Sequence, residues 1–329
     1  MILIHSLQET VFPKDLKTCV CIGMFDGVHL GHQKLIQETV KVAKELNQPS
    51  LVLTFQTNPK ITQNATHPLT SLPEKLAIIE ELGIDYLINL PFPGLIAELK
   101  PSDFVSSILI KALQSSHVFV GKNFHFGYKR SGNCDDLVNL GHERNLSIHI
   151  QNMQTIEGKE ISSTFCRYLI DSRMMEKATL MLGYPYFITG KVTKGHGRGK
   201  ILGMPTINLK EFYPEKIKPG NGVFITKTCI KGVIYSSLTL LGPVPSFDQP
   251  DISIETLILD FNESIYEEEV TVFFFSYLRD IVKFKTPEEL THQIQLDKLA
   301  TISYYSEQTT HTQPDRFQIP PVLSFLRRK

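Results

Sequence analysis

The two halves of the sequence carry different hydrophobic patterns, and this difference constrains the fold more than any other feature. In the first half, short apolar runs alternate with helix-like stretches. The apolar runs lie at residues 18–25, 50–55, 84–90, 117–121 and 147–151, and the helix-like stretches at 32–46, 72–82, 101–113 and 135–144. Such alternation predicts a parallel sheet covered by helices on both faces. Ligands of these sheets bind beyond the carboxyl ends of the strands.

Near Gly183-Tyr184-Pro185 the pattern changes to strand-like runs separated by turns. These runs lie at residues 187–193, 223–230, 232–240, 252–260 and 268–278. Several short strands in succession predict a small antiparallel barrel or sandwich. A last helix is predicted from Pro287 to about Tyr304. The tail that follows either packs against the folded protein or is mobile. The side chains that could pack are Phe317, Val322, Leu323 and Phe325.

The composition indicates a folded protein of about two domains, because 329 residues at roughly 100–200 per domain allow that number. Lys+Arg and Asp+Glu are both 34, and this zero net charge disfavours general binding to nucleic acid or anionic membranes. The amino terminus does not resemble a secretory signal, and no apolar run has the length of a membrane helix. The five cysteines lack zinc-site spacing, which favours reduced thiols. We therefore expect a cytoplasmic protein with neither nucleic acid nor membrane as a partner.

The most informative motif of the first half is G-M-F-D-G-V-H-L-G-H, which ends the first strand and opens the first helix. His29 and His32 lie three residues apart, on one side of the helix entrance, and Gly31 leaves room for a close approach to the backbone. A helix amino terminus favours phosphate, and imidazoles can donate hydrogen bonds to its oxygens. Each histidine alone is more often structural, but together at a strand-to-helix switch they predict a phosphate site.

Two further segments of the first half carry polar groups suited to a nucleotide. I-S-S-T-F-C-R, at residues 161–167, begins a helix with hydroxyl groups and places an arginine one turn later. V-G-K-N-F-H-F-G lies at residues 120–127. Taken alone, the first segment would be an ordinary helix cap and the second a hairpin-like loop. The candidate residues of the two segments are Ser163, Thr164, Arg167, Asn123 and Phe124.

The strongest signal of the second half is G-H-G-R-G-K-I-L-G-M-P-T-I-N, at residues 195–208. It is not a P-loop, because Lys194 occupies the first glycine position and Ile201 the position of the magnesium-binding hydroxyl. Its glycines and cations offer donors to phosphate, and two oxygen-bearing side chains suit Mg²⁺. The candidate ATP-binding residues are Gly195, Gly197, Arg198, Gly199, Lys200, Thr206 and Asn208, and the candidate metal ligands are Thr206 and Asn208.

Taken in order, these segments resemble the bifunctional bacterial riboflavin kinase/FMN adenylyltransferase family, also called FAD synthetases. H-x-G-H, I-S-S-T-x-x-R and V-G-x-[DN]-F-x-F-G resemble the nucleotidyltransferase half of that family. G-x-G-R-G-x-x-L-G-x-P-T-x-N resembles the riboflavin kinase half, and further kinase-like segments follow at residues 219–224, 255–261 and 278–284. The resemblance extends from about residue 18 to about residue 300.

The resemblance implies a fold and a pair of reactions. The expected architecture is a Rossmann-like α/β nucleotidyltransferase domain at residues 1–182, an antiparallel six-stranded β-barrel riboflavin kinase domain at 183–305 and a tail at 306–329. ATP would phosphorylate riboflavin to FMN, and a second ATP would adenylylate FMN to FAD with release of pyrophosphate. Mg²⁺ is the expected cofactor with ATP, and FMN and FAD are expected as substrate and product. Riboflavin, FMN and ATP are the expected partners, and a homo-oligomer is left open.

The resemblance also assigns roles to individual residues. Glu255 is the expected catalytic base of the kinase, and His29, His32 and Asn123 are the expected catalytic residues of adenylyl transfer. The expected ATP-binding residues of the adenylyltransferase are Gly23, Phe25, Asp26, His29, Gly31, His32, Ser163, Thr164 and Arg167. The expected flavin-binding residues are Asn58, Asn123, Phe124 and Arg279.

Two departures from the family pattern leave alternatives open. Asn58 stands where a histidine is usual, and L-L-G-P-V-P-S at residues 240–246 lacks the usual asparagine and arginine. One alternative is therefore a protein that retains only one of the two activities. A second is a nucleotidyltransferase for another nucleotide or acceptor, and a third is a flavin-binding protein without catalysis. The intact catalytic set favours both activities.

Overall fold

The computed structural model of the protein describes residues 1–9, 12–13, 15–56, 67–91, 95–194, 205–243, 253–309 and 320–328. The chain divides into two compact units, Met1–Phe165 and Cys166–Lys329. Some residues of the sequence-based predictions lie outside the described part of the chain, namely Asn58, Gly195, Gly197, Arg198, Gly199, Lys200 and Phe317. None of the helices among the described residues is both long enough and apolar enough to cross a membrane.

The first unit is built on a six-stranded sheet of order β1-β4-β3-β2-β5-β6. Its strands are β1 (Ile2–Ile4), β2 (Thr18–Ile22), β3 (Ser50–Phe55), β4 (Tyr86–Leu90), β5 (Ser115–Gly121) and β6 (Ser147–Gln151). All neighbouring strands pair in parallel, which confirms the predicted sheet. The central strand β2 is buried at every position, as expected for a strand covered on both faces. Strand β1 was not predicted, because its three apolar residues are fewer than the four to eight that mark a strand in a sequence.

The helices of this unit follow the strands along the chain. They are α1 (Leu30–Glu45), α2 (Leu72–Glu81), α3 (Leu95–Glu98), α4 (Pro101–Asp103) with a π-helical continuation Phe104–Ala112, α5 (Cys134–His142) and α6 (Ser163–Asp171), which begins at the end of the unit. Short 3₁₀ turns lie at Leu7–Glu9, Asp26–Val28 and Tyr128–Arg130, and a hairpin joins β7 (Thr155–Ile156) to β8 (Lys159–Glu160). The predicted start of α2 is confirmed as a capping box between Ser71 and Glu74.

Strand β2 ends three residues earlier than the sequence predicts. The apolar run continues to Phe25, but the strand stops at Ile22. Phe25 has a left-handed backbone with φ of 50°, and Gly27 has φ of 76°. Two residues with positive φ turn the chain out of the sheet, so the buried phenylalanine packs beneath a turn and not within a strand.

The strand order creates a switch point beside β2. The chain moves from β2 to β3 and β4 on one side, and then crosses to β5 and β6 on the other. The connections that leave β2 and β5 therefore diverge at the carboxyl edge of the sheet. In open α/β sheets this is the place where ligands bind. The fold thus directs the H-x-G-H segment, which follows β2, to the expected binding edge.

The second unit contains a closed barrel of order β10-β13-β12-β11-β14-β9, so the predicted antiparallel barrel is confirmed. The strands are β9 (Tyr186–Thr193), β10 (Thr206–Glu211), β11 (Gly222–Ile230), β12 (Val233–Gly242), β13 (Ser253–Ile258) and β14 (Glu269–Arg279). The unit also contains α7 (Met175–Leu182), α8 (Pro287–Thr309) and a 3₁₀ segment, Pro321–Arg328. Strand β10 was predicted only as a ligand motif, and α8 continues beyond its predicted end. In the described part of the tail Leu323 and Leu326 are buried, so this part is docked.

Inside the barrel, hydroxyl groups form a buried network across β11, β12 and β13. The Thr226 hydroxyl lies 2.8 Å from that of Ser237 and 2.9 Å from that of Thr239, and Thr239 lies 2.9 Å from Thr256. Thr228 also bonds to Ser237 at 2.9 Å. All five side chains are fully buried. A hydroxyl can donate and accept at once, so the network satisfies polar groups that no water reaches.

The central position of Thr239 in this network gives a stability prediction. Thr239→Val should lower the free energy of unfolding of the second unit by about 1–3 kcal/mol, because two buried hydroxyls each lose a partner. Thr239→Ser keeps the hydroxyl and should cost less. Denaturant unfolding of both variants measures the difference. A valine variant as stable as the wild type would contradict the role of the network.

Candidate functional site

At the end of β2, Asp26 joins three segments of the first unit. Its Oδ1 accepts hydrogen bonds from the backbone N–H groups of Leu69, at 2.9 Å, and Thr70, at 3.4 Å. Its backbone carbonyl accepts a bond from Ser163 Oγ at 2.9 Å, and the N–H of Gly27 donates to Thr70 Oγ1 at 3.2 Å. The loop after β2, the loop before α2 and the start of α6 therefore meet at one buried residue, Asp26.

The two histidines lie directly after this turn. His29 is the N-cap of α1, and its Nδ1 accepts a hydrogen bond from the N–H of His32 at 3.3 Å. A neutral His29 consequently carries its proton on Nε2, which leaves that N–H available to a ligand. The two imidazole rings stack with centroids 3.6 Å apart, and the Phe25 ring contacts His32 edge-on at 5.2 Å. The pair is thus held in one orientation before any substrate binds.

Burial decides the charge of these imidazoles. It lowers the pKa of His29 to about 4 and the pKa of His32 well below its usual range. Positive charge on His29 and on Lys75 would lower the pKa of His32 further. Both rings are therefore neutral at pH 7. His32 Nδ1 is buried and has no hydrogen-bond partner within the described ranges, which marks it as a group that a ligand can satisfy.

At two glycines of the motif a side chain would crowd its neighbours, severely at Gly27 and slightly at Gly31. A Cβ on Gly27 would lie 2.6 Å from Leu69 Cδ1, and the backbone at Gly27 already has positive φ. A Cβ on Gly31 would lie 3.3 Å from His29 Nδ1. A side chain at either position would displace the loop before α2 or the stacked histidine.

The structure brings the I-S-S-T segment to the same loop. Ser162 Oγ accepts a bond from the N–H of Phe165 at 3.2 Å and so caps α6. Ser163 is bonded to the carbonyl of Asp26, whereas Thr164 is exposed and Arg167 half-buried.

The V-G-K-N-F-H-F-G segment follows β5, which pairs in parallel with β2. Its residues leave the sheet at the same edge as the histidine loop. Asn123 is exposed there, and the ring of Phe124 stacks on that of Phe126 with centroids 5.6 Å apart. The predicted flavin and nucleotide residues of this segment thus lie at the binding edge, and their roles stay predictions.

Lys75, in α2, is a residue that the sequence analysis missed. Its Nζ donates to the carbonyl of Phe55 at 2.8 Å, to Thr54 Oγ1 at 3.3 Å and to the carbonyl of Met24 at 3.5 Å. Burial lowers the pKa of this ammonium to about 8, and the charge of Asp26 partly opposes that shift. The available signal was positional, because Lys75 falls at helical spacing on the face that α2 buries.

In the barrel, strand register brings the kinase candidates together. Asn208 on β10 is the direct antiparallel partner of Glu255 on β13, and Thr206 lies two residues before Asn208. Direct partners and alternate residues share a face of the sheet, so all three side chains lie on one face. The other partner of Glu255 is Leu240 on β12. The departure from the family pattern at position 240 therefore lies next to the expected catalytic base.

This face is the outside of the barrel. It also carries Leu238 and Leu257, which belong to an apolar cluster with Leu240 and with Ile294 of α8. A helix packs only on the outer surface of a six-stranded barrel, because the interior is filled by side chains. Glu255 thus borders an apolar cluster on one side and a polar pair on the other.

Arg279, predicted to contact flavin, is fixed by helix α8. Its Nε donates to Asp297 Oδ1 at 2.9 Å, and its Nη2 donates to Asp297 Oδ2 at 2.7 Å. Gln293 Nε2 donates to the same carboxylate at 2.9 Å. This geometry orients the guanidinium, and its contact with flavin stays a prediction.

The oxygen-bearing side chains of the barrel fit Mg²⁺ as a donor set. Thr206, Asn208 and Glu255 offer a hydroxyl, an amide oxygen and a carboxylate on one face. Mg²⁺ prefers oxygen ligands and commonly keeps water and substrate phosphates as the remainder. The described residues contain no group of three His, Cys, Asp or Glu side chains able to hold a metal ion. A magnesium ion here would depend on ATP for most of its ligands.

The buried imidazole of His29 predicts a pH dependence of stability. Between pH 6.5 and about pH 4, His29 takes up a proton in the unfolded chain but not in the folded one, so unfolding becomes easier as pH falls. His29→Asn keeps an N-cap acceptor and removes the titration. Between pH 7 and pH 4.5 the wild type should lose about 2–3 kcal/mol more unfolding free energy than this variant. Equal losses in denaturant unfolding would contradict the buried neutral histidine.

The comparisons with known proteins agree with the two-part organisation of the chain. Residues 12–165 match the family described as FAD synthetase, and residues 182–305 match the family described as riboflavin kinase. The bifunctional riboflavin kinase/FMN adenylyltransferase of Listeria monocytogenes is 32% identical over 93% of this chain and 98% of the relative, and that of Escherichia coli K12 is 30% identical over 92% and 96%. A crystal structure named macrolide-efflux protein from Streptococcus pneumoniae has a TM-score of 0.81 at 29% identity, over 91% of this chain and 98% of that one. This chain belongs to the bifunctional riboflavin kinase/FMN adenylyltransferase family.

Proposed function

We propose that this protein makes FAD from riboflavin in two ATP-dependent steps. Its barrel transfers the γ-phosphate of ATP to riboflavin, and its α/β unit transfers the adenylyl group of a second ATP to FMN. The observation that supports this proposal is the presence in one chain of two clusters of polar side chains suited to the two reactions. One is the neutral histidine pair at the switch point of the sheet, and the other is the Asn208–Glu255 pair on the barrel.

In the adenylyl step, an oxygen of the FMN phosphate attacks the α-phosphorus of ATP. The bond from this phosphorus to the bridging oxygen breaks, and pyrophosphate leaves with that oxygen. No protein nucleophile is required. The Nε2–H of His29, the imidazole of His32 and the start of α1 stabilise charge on the phosphates. Asn123, Ser163, Thr164 and Arg167 are proposed to complete the set.

The neutral state of the imidazoles suits this chemistry. A buried neutral ring can donate a hydrogen bond without the desolvation cost of a buried cation. Negative charge brought by the phosphates raises the pKa of a nearby imidazole and so favours its protonated form, which is the stronger hydrogen-bond donor. The stacked arrangement fixes both rings beforehand, so little reorganisation accompanies the transfer.

In the kinase step, the Glu255 carboxylate accepts the proton of the ribityl 5′-hydroxyl. The hydroxyl oxygen attacks the γ-phosphorus in line, and ADP leaves. Thr206 and Asn208 would hold Mg²⁺, which neutralises phosphate charge when bound. Asn208 lies opposite Glu255 on the neighbouring strand. The proposed metal ligand and the proposed base are therefore next to each other.

The proposal extends to the domains and the setting of the protein. We assign adenylyl transfer to residues 1–182 and phosphoryl transfer to residues 183–305. Riboflavin, FMN and ATP are the proposed partners, with neither nucleic acid nor membrane among them. The proposed location is the cytoplasm.

A chromatographic time course tests the proposal directly. Riboflavin with excess ATP and Mg²⁺ should give FMN and then FAD, and FMN as the starting flavin should give FAD. FMN as the only product would show that adenylyl transfer is lost, and FAD only from supplied FMN would show that the kinase is lost. Tight flavin binding without any product would support the flavin-binding alternative.

The role of Glu255 predicts a selective loss. Glu255→Gln should lower FMN formation roughly 10²–10⁴-fold, the usual contribution of a general base, and leave FAD formation from supplied FMN unchanged. Glu263→Gln, at an exposed position of the same unit, is the matched control and should keep both activities. Normal FMN formation by the Glu255 variant would exclude this residue as the base.

The histidine pair predicts the opposite selectivity. His32→Ala should reduce FAD formation from FMN by roughly 100-fold or more, because the transferring phosphate loses a positioned donor, while FMN formation continues. His142→Ala, exposed on α5, is the matched control. Loss of both activities by a folded His32 variant would argue against two separate sites.

A further inference from the structure

We infer that Lys75 is a positioning residue for adenylyl transfer, because its buried ammonium joins the histidine loop to the end of β3 and places a fixed positive charge beside the phosphate site. The inference rests on the proposed adenylyl transfer. It adds a residue from α2, an element that lies outside the H-x-G-H, I-S-S-T and V-G-K-N segments.

The hydrogen bonds of Lys75 connect two segments that leave adjacent strands. Met24 follows β2, while Thr54 and Phe55 end β3, and the two strands pair in parallel. The ammonium has three N–H donors, and each has one oxygen acceptor from these segments. The Nζ position is therefore fixed from both sides. Movement of Lys75 would move Met24, two residues before Asp26 and five before His29.

Within the described ranges, the ammonium of Lys75 has no carboxylate at ion-pair distance. All three acceptors are uncharged, and none of the ion pairs among the described residues includes Lys75. Asp26 is the carboxylate that acts on it electrostatically, and Asp26 already accepts bonds from the N–H groups of Leu69 and Thr70. An incompletely compensated buried cation is costly in an empty site. The phosphates of ATP and FMN would supply the missing negative charge.

In the part of the chain that the structure describes, few other titratable groups surround Lys75. The turn after β2 contributes Asp26, and α1 contributes His29 and His32, which are neutral at pH 7. The Glu74 carboxylate, on the same helix, caps the N–H of Ser71, and the end of β3 contributes uncharged groups only. With its pKa lowered to about 8 by burial, Lys75 is charged at pH 7 and loses its proton above pH 8. While charged, it keeps the pKa of His32 low.

The test compares Lys75→Met and Lys75→Arg in the full chain. For FAD formation from FMN, we expect the methionine variant to lose roughly 100-fold or more in kcat/KM for ATP, the usual cost of removing one preorganised electrostatic group. The arginine variant should keep most of the activity. Lys34→Met, exposed on α1, is the matched control. FMN formation from riboflavin and a melting temperature within about 4 °C of the wild type verify folding.

The pH profile separates this role from a merely structural one. For the wild type, kcat/KM reports the free enzyme and should fall above pH 8 as the lysine loses its proton. The fall should be absent in Lys75→Arg, which stays charged, and in Lys75→Met, whose residual activity should not change with pH in this range. A folded methionine variant with normal FAD formation would overturn the inference, as would an arginine variant with the wild-type pH fall. If the methionine variant does not fold, the arginine profile decides. A wild type that makes FMN but no FAD would refute the proposed adenylyl transfer, and the inference with it.

Discussion

The arrangement of the first unit's site depends on the buried carboxylate of Asp26. Hydrogen bonds from backbone N–H groups to a charged acceptor are stronger than neutral ones, and this carboxylate receives two of them from the loop before α2. The backbone carbonyl of Asp26 accepts a hydrogen bond from the Ser163 hydroxyl. The helix that carries Lys75, the helix that begins at Ser163 and the histidine loop are therefore positioned relative to one another by a single residue.

The polar groups around Asp26 differ in charge. The stacked imidazoles are neutral because they are buried, and they offer hydrogen bonds without charge. Lys75 provides positive charge at a fixed point. A site of this kind attracts phosphate through the helix terminus and one cation, and leaves the imidazoles to respond to the charge that the substrates bring.

The barrel positions its residues by a different means. Here the antiparallel register sets Asn208 opposite Glu255, and the period of two adds Thr206 to the same face. The hydroxyl network on the inner face and the apolar cluster with Ile294 on the outer face hold these strands from both sides. A shift of one residue in the strand register would turn the Glu255 side chain into the barrel. The position of the proposed base therefore depends on the register.

The sequence predicted the larger features of both units and missed features that depend on local backbone or distant contacts. The parallel sheet and the barrel were predicted because a strand appears in the sequence as a short run of neighbouring apolar residues. The end of β2 was misplaced, since hydrophobicity does not reveal the left-handed backbone at Phe25. Strand β10 was read only as a ligand motif, and Lys75 was overlooked because a lysine within a helix is usually on a solvated face.

The sequence by itself determined the fold class of each unit and the residue types of each site, since strand–helix alternation and motif spacing are local properties of the chain. The tertiary structure decided which groups meet: the proton on His29 Nε2, the burial of Lys75 between two strand ends, and the pairing of Asn208 with Glu255. These depend on burial and register. Both are set by contacts between residues far apart in the sequence, and no local pattern encodes such contacts.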